Sequence, residues 1–362
     1  GRRWRPEPGF YATDAYSDTA AAFIARHDPD QPLFMYLAYT APHWPLHVPQ
    51  EDLARYRGQY RMGWDSLRRA RYARMQELGI LTPDVPLSPR FPQVVAWDSL
   101  SPEEQDAWDL KMALYAAVVD RMDQGIGRVV ASLEEKGMLD ETLIVFLSDN
   151  GGSPEVMPPR NSPYPTDGLP GSERSFPSYD GPWANASNTP YQYYKSWLQE
   201  GGMATPFIAH YPARIAPGQI NQGTVAHIMD LMATAADLAG ASYPTTYAGR
   251  AITPSPGRSL VPVLEGKEAA GHERLFWNLM GSRAVREGDW KLVANDRAAA
   301  EEPRRVWRLF NMAEDPAELE DLAADYPEKV AELEAQYEAW AREVGALSPA
   351  AWDSLRRAAR GR

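Results

Sequence analysis

The chain has 362 residues, 44% of them apolar, a formal net charge of −12 and no cysteine. That length and apolar content build a substantial core, enough for one large domain and a smaller one. The acidic balance, with basic residues interspersed, argues against a broad nucleic-acid or anionic-membrane surface, though it leaves room for a local cationic pocket. Disulfides and thiol nucleophiles are excluded, and six histidines, of which only His43 and His47 stand close together, with no cysteine beside them argue against a zinc cluster.

In chain order, GRRWRPEPGF at the start has neither an initiator methionine nor an apolar signal segment, and reads as an internal or processed start. No apolar run anywhere approaches the ~20 residues of a membrane span. Residues 16–27 read as a helix with Ala20, Phe23 and Ile24 on one side, and PLFMYLAYT (32–40) as a buried strand ending in APHWP. Residues 51–79 are charged and helical in character, and the proline-containing 80–105 reads as a loop. From 110 to 136, Met112, Tyr115, Val119, Met122, Ile126, Val129 and Leu133 recur at helical spacing, with Gly137 placed to cap the C-terminus.

TLIVFLSDNGG (142–152) then runs a short apolar strand into an acid, an amide and two glycines. A continuous apolar run of this length suits a strand covered on both faces, as in parallel sheets, with the glycines supplying positive φ in the turn. Residues 151–190 are rich in Pro, Gly, Ser and Asn, which in a compact enzyme reads as an active-site rim. YKSWLQEGG precedes another apolar strand, TPFIAHYP (205–212), and 227–238 fits a helix. Beyond about 269, SRAVREGDWKLVAN and RVWRLFNM read as amphipathic antiparallel strands. Residues 325–344 read as a closing helix striped by Val330, Leu333, Tyr337 and Trp340. WDSLRRA occurs at 64–70 and again at 352–358, with WDSL at 97–100; the spacing is irregular, so a solenoid is excluded and a reused amphipathic helical piece is the simpler reading.

The expected fold class is therefore α/β. Helices surround a large mixed, mostly parallel sheet that is incomplete at the N-terminus (1–268), followed by a smaller α+β unit with an antiparallel sheet (269–347) and a tail (348–362). In open α/β sheets, ligands sit beyond the carboxyl ends of strands. Asp149 and Asn150 would be presented there, offering oxygen ligands to a hard cation such as Ca²⁺ or Mg²⁺. His43 and Lys195 beside such a cation suit an anionic tetrahedral group, the lysine as a point charge and the histidine as proton donor to a departing oxygen. Phosphate and sulfate esters are the candidates. His227 and Asp230 read as structural, Asp120 and Asp123 as a solvated or salt-bridged face, and His47 is unassigned. His210 ends a strand where it could line the cleft, and Trp277, Asn278, Ser282 and Arg283 are candidates for a substrate rim.

TAPHWPL, LYAAVVDRMDQGIGRVVASLEEKGMLDETLIVFLSDNGG, YKSWLQEGGMATPFIAHYP, HIMDLMATAADLAGA, GRSLVPVL and LFNMAEDPAELEDLA resemble, in that order, successive blocks of the type I sulfatases of the alkaline-phosphatase-like superfamily. The resemblance implies an arylsulfatase-like hydrolase acting on aryl or carbohydrate sulfate esters, in a periplasmic or extracellular setting. It gives Asp149 and Asn150 as two ligands of one Ca²⁺, His43 as the histidine near the leaving oxygen, and Lys195 as the lysine on the sulfate. It also implies a formylglycine nucleophile made within a C/S-x-P-x-R motif. This sequence departs there: it has no cysteine and no serine followed by x-P-x-R, and SPGR at 255–258 has its proline one place early. The family's first acidic metal pair and its other Lys/His pair are also missing, so the chain corresponds to roughly the C-terminal two-thirds of a sulfatase and is expected not to turn over sulfate esters by itself. A phosphate or phosphonate ester hydrolase of the same superfamily, or a non-catalytic binder of sulfated glycans, are the alternatives.

Overall fold

A computed structural model describes residues 6, 7, 9–269, 271–297 and 304–360; residues 1–5 and 8 of the opening segment and the last two of the expected tail lie outside the described residues. The chain opens with helices α1 (Ala12–Arg26), α2 (Gln50–Tyr56), α3 (Gly63–Glu77) and the 34-residue α4 (Pro102–Glu135). Helix α4 begins earlier than its apolar periodicity indicates because a capping box starts it. The Ser101 hydroxyl accepts from Glu104 N–H at 3.2 Å, the Glu104 carboxylate accepts from Ser101 N–H at 2.8 Å, and Pro102 fills the first turn. Gly137, at φ 67°, follows its C-cap as the sequence suggests.

Ala113, Leu114, Ala117, Val118 and Met122 are buried along α4. Helix α1 lies against it, tied by Arg121 on Asp14 at 2.7 Å and Arg128 on Asp18 at 3.1 Å. Ala20 and Ile24 face this contact, whereas Phe23, expected on the same side, is exposed. The core beside α3 is a tryptophan cluster. Trp64 has no exposure and meets Trp97, Trp108 and Trp183 edge-on at 4.8, 5.4 and 5.4 Å between ring centroids. The first WDSLRRA thus supplies the centre of the core and WDSL at 97–100 its neighbour.

Strand β1 (Ile144–Leu147) follows, then α5 (Asp180–Ser187), inside the segment expected to be loop, α6 (Glu200–Met203) and β2 (Phe207–His210). β1 and β2 pair antiparallel, from Ile144 opposite His210 to Leu147 opposite Phe207. The expected parallel ladders are not formed among the described residues, where every ladder is antiparallel. The 32–40 segment shows why. It alternates in exposure as a strand does, with Leu33, Met35, Leu37 and Tyr39 half-buried, but it is in no ladder; Phe34 and Tyr36 are 79% and 85% exposed. A period of two fixes which side chains face the core, and only neighbouring backbone makes a strand.

Helix α7 (Asp230–Leu238), the hairpin β3 (Thr246–Tyr247) and β4 (Arg250–Ala251), and α8 (Val261–Leu264) lead to a four-stranded antiparallel meander: β5 (Arg274–Leu279), β6 (Ser282–Glu287), β7 (Trp290–Ala294) and β8 (Arg308–Asn311). Helix α9 (Pro327–Val344) covers one face, packing Leu333 and Tyr337 onto Val285, Leu292 and Leu309. The expected tail is helical, α10 (Pro349–Arg360), held by Asp353 on Arg305 at 2.7 Å. Between α4, the 32–40 segment, β1, β2 and α7 lies an open cavity of about 4280 Å³, more than four times the ~1,000 Å³ upper end of ordinary ligand pockets.

Candidate active site

His43, Asp149, Asn150 and Lys195 all line this cavity. The turn after β1 is laced to the segment before β2. Gly151 N–H donates to the Gly202 carbonyl at 3.1 Å, and Lys195 N–H to the Gly152 carbonyl at 3.0 Å. Gly152 N–H donates to the Asn188 side-chain oxygen at 2.8 Å. The glycines serve close approach rather than the positive φ expected of them, since neither lies in the left-handed region. A Cβ on Gly151 would sit 1.9 Å from the Gly201 carbonyl oxygen, and one on Gly152 2.3 Å from the Tyr179 hydroxyl. Lys195 is flanked by Tyr193 at φ 66° and Ser196 at φ 74°. Each such residue costs on the order of 1–2 kcal/mol and persists only where its surroundings overdetermine it.

Those surroundings include the C-terminal sheet. Asn295 after β7 accepts from Leu198 N–H at 3.2 Å and donates to Gln199 at 2.8 Å. Lys291, fully buried in β7, reaches Glu200 at 2.6 Å and buried Glu318 at 2.9 Å, and Glu318 in turn accepts from Glu200 N–H at 2.5 Å. The smaller unit therefore grips the segment that carries Lys195.

Lys195 Nζ lies 2.9 Å from His43 Nε2, and His43 Nδ1 lies 2.7 Å from the Trp44 carbonyl oxygen. A carbonyl only accepts, so Nδ1 carries the proton and Nε2 accepts from the ammonium. Glu155 is a third member of this group. Its Oε2 accepts from Trp44 Nε1 and Ser153 Oγ, both at 2.8 Å, and stands 3.9 Å from Lys195 Nζ. Burial raises its pKa, but these hydrogen bonds, the charge of Lys195 and the neighbouring His43 imidazole outweigh it and hold the carboxyl below its ordinary value. Nothing in the local sequence marked Glu155, which sits in an aperiodic loop.

Asp149 is exposed and Asn150 half-buried, with Asn150 donating to the Gly151 carbonyl at 3.0 Å. Ca²⁺ takes six to eight oxygens, and no group of three or more His, Cys, Asp or Glu placed to hold a metal occurs among the described residues. The donors fit a hard cation in kind and fall short in number.

The other candidates divide. His47 is fixed to the Ser175 carbonyl at 2.8 Å, and Asp120 to Arg55 at 3.0 Å; Asp123 is exposed. Asp230 is buried and accepts from His272 Nε2 at 2.7 Å, from Arg258 N–H and from His227 N–H, both at 2.8 Å, a structural knot. Burial holds the His227 imidazole below its usual value, with Asp230 opposing. His210, which could have lined the cleft, is exposed and does not line the cavity, although Phe207, Ile208, Ala209 and Tyr211 on either side of it do. Trp277 and Asn278 reach the cavity wall. Ser282 and Arg283 do not: the first accepts from Asp296 N–H at 2.9 Å, the second lies over the Trp307 ring at 4.4 Å.

The family model described as Sulfatase matches residues 2–241, and one described as N-sulphoglucosamine sulphohydrolase, C-terminal, matches 191–343. An uncharacterized sulfatase of Schizosaccharomyces pombe is 31% identical over 358 residues, covering 94% of this chain and 63% of that protein. An arylsulfatase of Klebsiella aerogenes is 34% identical over 278 residues, covering 74% of this chain and 59% of that protein. In fold, the chain is similar to Ps i-CgsB solved with k-i-k-neocarrahexaose, at a TM-score of 0.58 and 24% identity, covering 94% of this chain and 56% of that one. It is also similar to a protein solved with its substrate D-glucosamine-2-N,6-O-disulfate, at a TM-score of 0.54 and 20% identity, covering 92% and 69%. The chain thus spans about three-fifths of the length of the two relatives.

Proposed function

Because this chain belongs to the sulfatase family, whose model matches residues 2–241, we propose that it carries the anion-holding part of a sulfate ester hydrolase. The observation that bears the reading is the 2.9 Å contact between Lys195 Nζ and His43 Nε2 at the cavity wall. The lysine is a charge-assisted donor to sulfate oxygens. The imidazole, fixed through Nδ1, presents Nε2 as its exchangeable proton site; protonated, Nε2–H is the donor to the departing ester oxygen as the S–O bond breaks. Asp149 and Asn150 supply two of the ligands of a Ca²⁺ ion, which when bound would disperse charge on the sulfate. Aryl and carbohydrate sulfates are both compatible with this chemistry.

The nucleophile, a formylglycine in this reading, and the remaining metal ligands come from outside these 362 residues. Two features support that. There is no cysteine or matching serine motif, and the cavity wall carries uncovered apolar side chains, among them Phe34, Tyr36, Ile208 and Met232, which monomeric soluble surfaces rarely leave contiguous. The test is protection of Lys195 from an amine-acylating reagent by p-nitrophenyl sulfate, read by peptide mass mapping. Protection in the native chain, lost in His43→Ala, with no p-nitrophenol released, is expected. Release of p-nitrophenol by this chain, abolished by EDTA, refutes the division of labour; absence of protection refutes the anion site.

A further inference from the structure

Glu155 poses a question that sulfate binding leaves open: a carboxylate stands beside a group meant to hold an anion. Lysine has three donors, and at 3.9 Å Glu155 uses none of them in a hydrogen bond. Its own hydrogen bonds come from Trp44 Nε1 and Ser153 Oγ, both to Oε2 at 2.8 Å. Both donors are neutral, Trp44 from the turn that carries His43 and Ser153 from the same loop as Glu155, and neither depends on Lys195, so the carboxylate stays in place when Lys195 turns from His43 toward a ligand.

We propose that Glu155 is a specificity-determining residue, a fixed negative charge that disfavours dianionic esters relative to monoanionic ones at the Lys195–His43 site. The proposal rests on the reading of that site as the one that holds the ester's anionic group. An anion oxygen in hydrogen-bond contact with Lys195 Nζ, at ~3 Å, lies no farther than about 7 Å from Glu155 Oε2, given the 3.9 Å between Oε2 and Nζ. At that separation, one additional negative charge on the ligand is disfavoured about threefold in a water-like dielectric, and more than tenfold at an effective dielectric of 20. A sulfate monoester carries one negative charge throughout the neutral range. A phosphate monoester gains its second near pH ~6. The charged and titratable groups facing Glu155 are Lys195 and His43, and hydrogen bonding together with these two keeps the carboxyl ionised at neutral pH.

The experiment measures apparent affinities of the full 362-residue chain for p-nitrophenyl sulfate and p-nitrophenyl phosphate by protection of Lys195 from acylation, at pH 5 and pH 8. It compares the native chain, Glu155→Gln and Glu155→Asp. Glutamine keeps an acceptor for Trp44 and Ser153 and removes the charge; aspartate keeps the charge. His43 and Lys195 are common to the native chain and both variants, so comparing the change in the ratio between native and Glu155→Gln isolates the charge at position 155. The expected result is that the native chain's preference for the sulfate ester grows from pH 5 to pH 8 at least about threefold more than that of Glu155→Gln, with Glu155→Asp returning toward the native ratio. A change in the ratio equal within twofold in native and Glu155→Gln, with both esters still protecting Lys195, overturns the role of Glu155 and leaves the anion site standing. Failure of both esters to protect Lys195 in the native chain overturns the site and the filter together.

Discussion

Lys291→Met tests whether the C-terminal sheet holds the Lys195 segment through the buried charge cluster. Methionine preserves most of the side-chain volume and removes the ammonium that reaches Glu200 at 2.6 Å and Glu318 at 2.9 Å. One ammonium faces two carboxylates. Burial and the nearby Glu200 push the Glu318 carboxyl up to about 7 against the pull of Lys291, while the two carboxylates hold Lys291 above its usual value despite its burial. Removing one partner of a buried pair is worth about 3–5 kcal/mol when the remaining charge is stranded. The sign with pH follows from Glu318. Its folded value lies above its ordinary 4.5, so the native state binds the proton more tightly than the unfolded chain, and this group's contribution falls as pH rises from about 4.5 to about 7. In Lys291→Met the ionised carboxylate has no counter-charge, so the loss is largest above pH 7. Urea unfolding followed by tryptophan fluorescence should show a loss of about 3–5 kcal/mol at pH 8 and less than half of that at pH 5. Amide exchange at residues 192–203 should accelerate more than in α4. A loss below about 1 kcal/mol at pH 8, or an equal loss at both pH values, refutes the cluster as a buried ionic clamp.

Glu318→Gln should flatten the decline of stability between pH 5 and pH 7, since it removes the group that titrates there; an unchanged slope in urea titrations across that window contradicts the assignment. Trp64→Ala should lower stability by about 3–5 kcal/mol, because the ring is wholly buried among three other indoles, with calorimetry as the measure. Gly151→Ala places a methyl 1.9 Å from the Gly201 carbonyl oxygen, so it should abolish ester protection of Lys195 while leaving the near-ultraviolet signal of the tryptophan core; intact protection would show that the two turns need not interlock. At low pH, Glu287, held near about 2 because Arg274, Lys329 and Gln336 outweigh the effect of burial, contributes stability above its ordinary 4.5 that is lost as pH falls toward 2. Glu287→Gln should therefore lose least, relative to the native chain, at the acid end of a thermal-melt series.

The helices and the C-terminal meander were legible because their signals are local. Val330, Leu333, Tyr337 and Trp340 mark α9 by spacing alone, and Gly137 marks the end of α4. The start of α4 was also written in the sequence, in Ser101-Pro102 followed by Glu104, but it is outweighed by apolar periodicity when only the latter is counted. The 32–40 segment was expected to be a buried strand and is neither: Phe34 and Tyr36 are exposed and the segment is in no ladder, because an apolar run does not say what covers it and a ladder needs a partner. Strand direction failed for the same reason, since nothing within TLIVFL or TPFIAHYP says which backbone lies alongside.

Of the four expected site residues, Asp149 and Asn150 could be reached from a strand running into polar groups, and His43 and Lys195 from their place in APHWP and YKSWLQEGG beside apolar strands, while their roles on the ester came from the resemblance in block order. What positions Lys195 was less visible still. Its neighbours Tyr193 and Ser196 sit in the left-handed region, which no propensity favours for tyrosine; Asn188 holds the Tyr193 carbonyl, Gly152 holds Lys195 N–H, and Asn295 and Lys291, about a hundred positions away, hold Leu198, Gln199 and Glu200. The glycine pairs at 151–152 and 201–202 look like flexible turns when read singly, yet each position excludes a Cβ: Gly151 because Gly201 approaches, Gly152 because of the Tyr179 hydroxyl, and Gly201 and Gly202 because of the carbonyls of Gln192 and Trp197. A site assembled from close backbone contact leaves its trace in which residues are absent at a position, and one sequence records that only as glycine. Glu155 illustrates the limit: a single carboxylate in a loop gains its meaning from the 3.9 Å to Lys195 and the indole that fixes it, both of which exist only once the chain has folded.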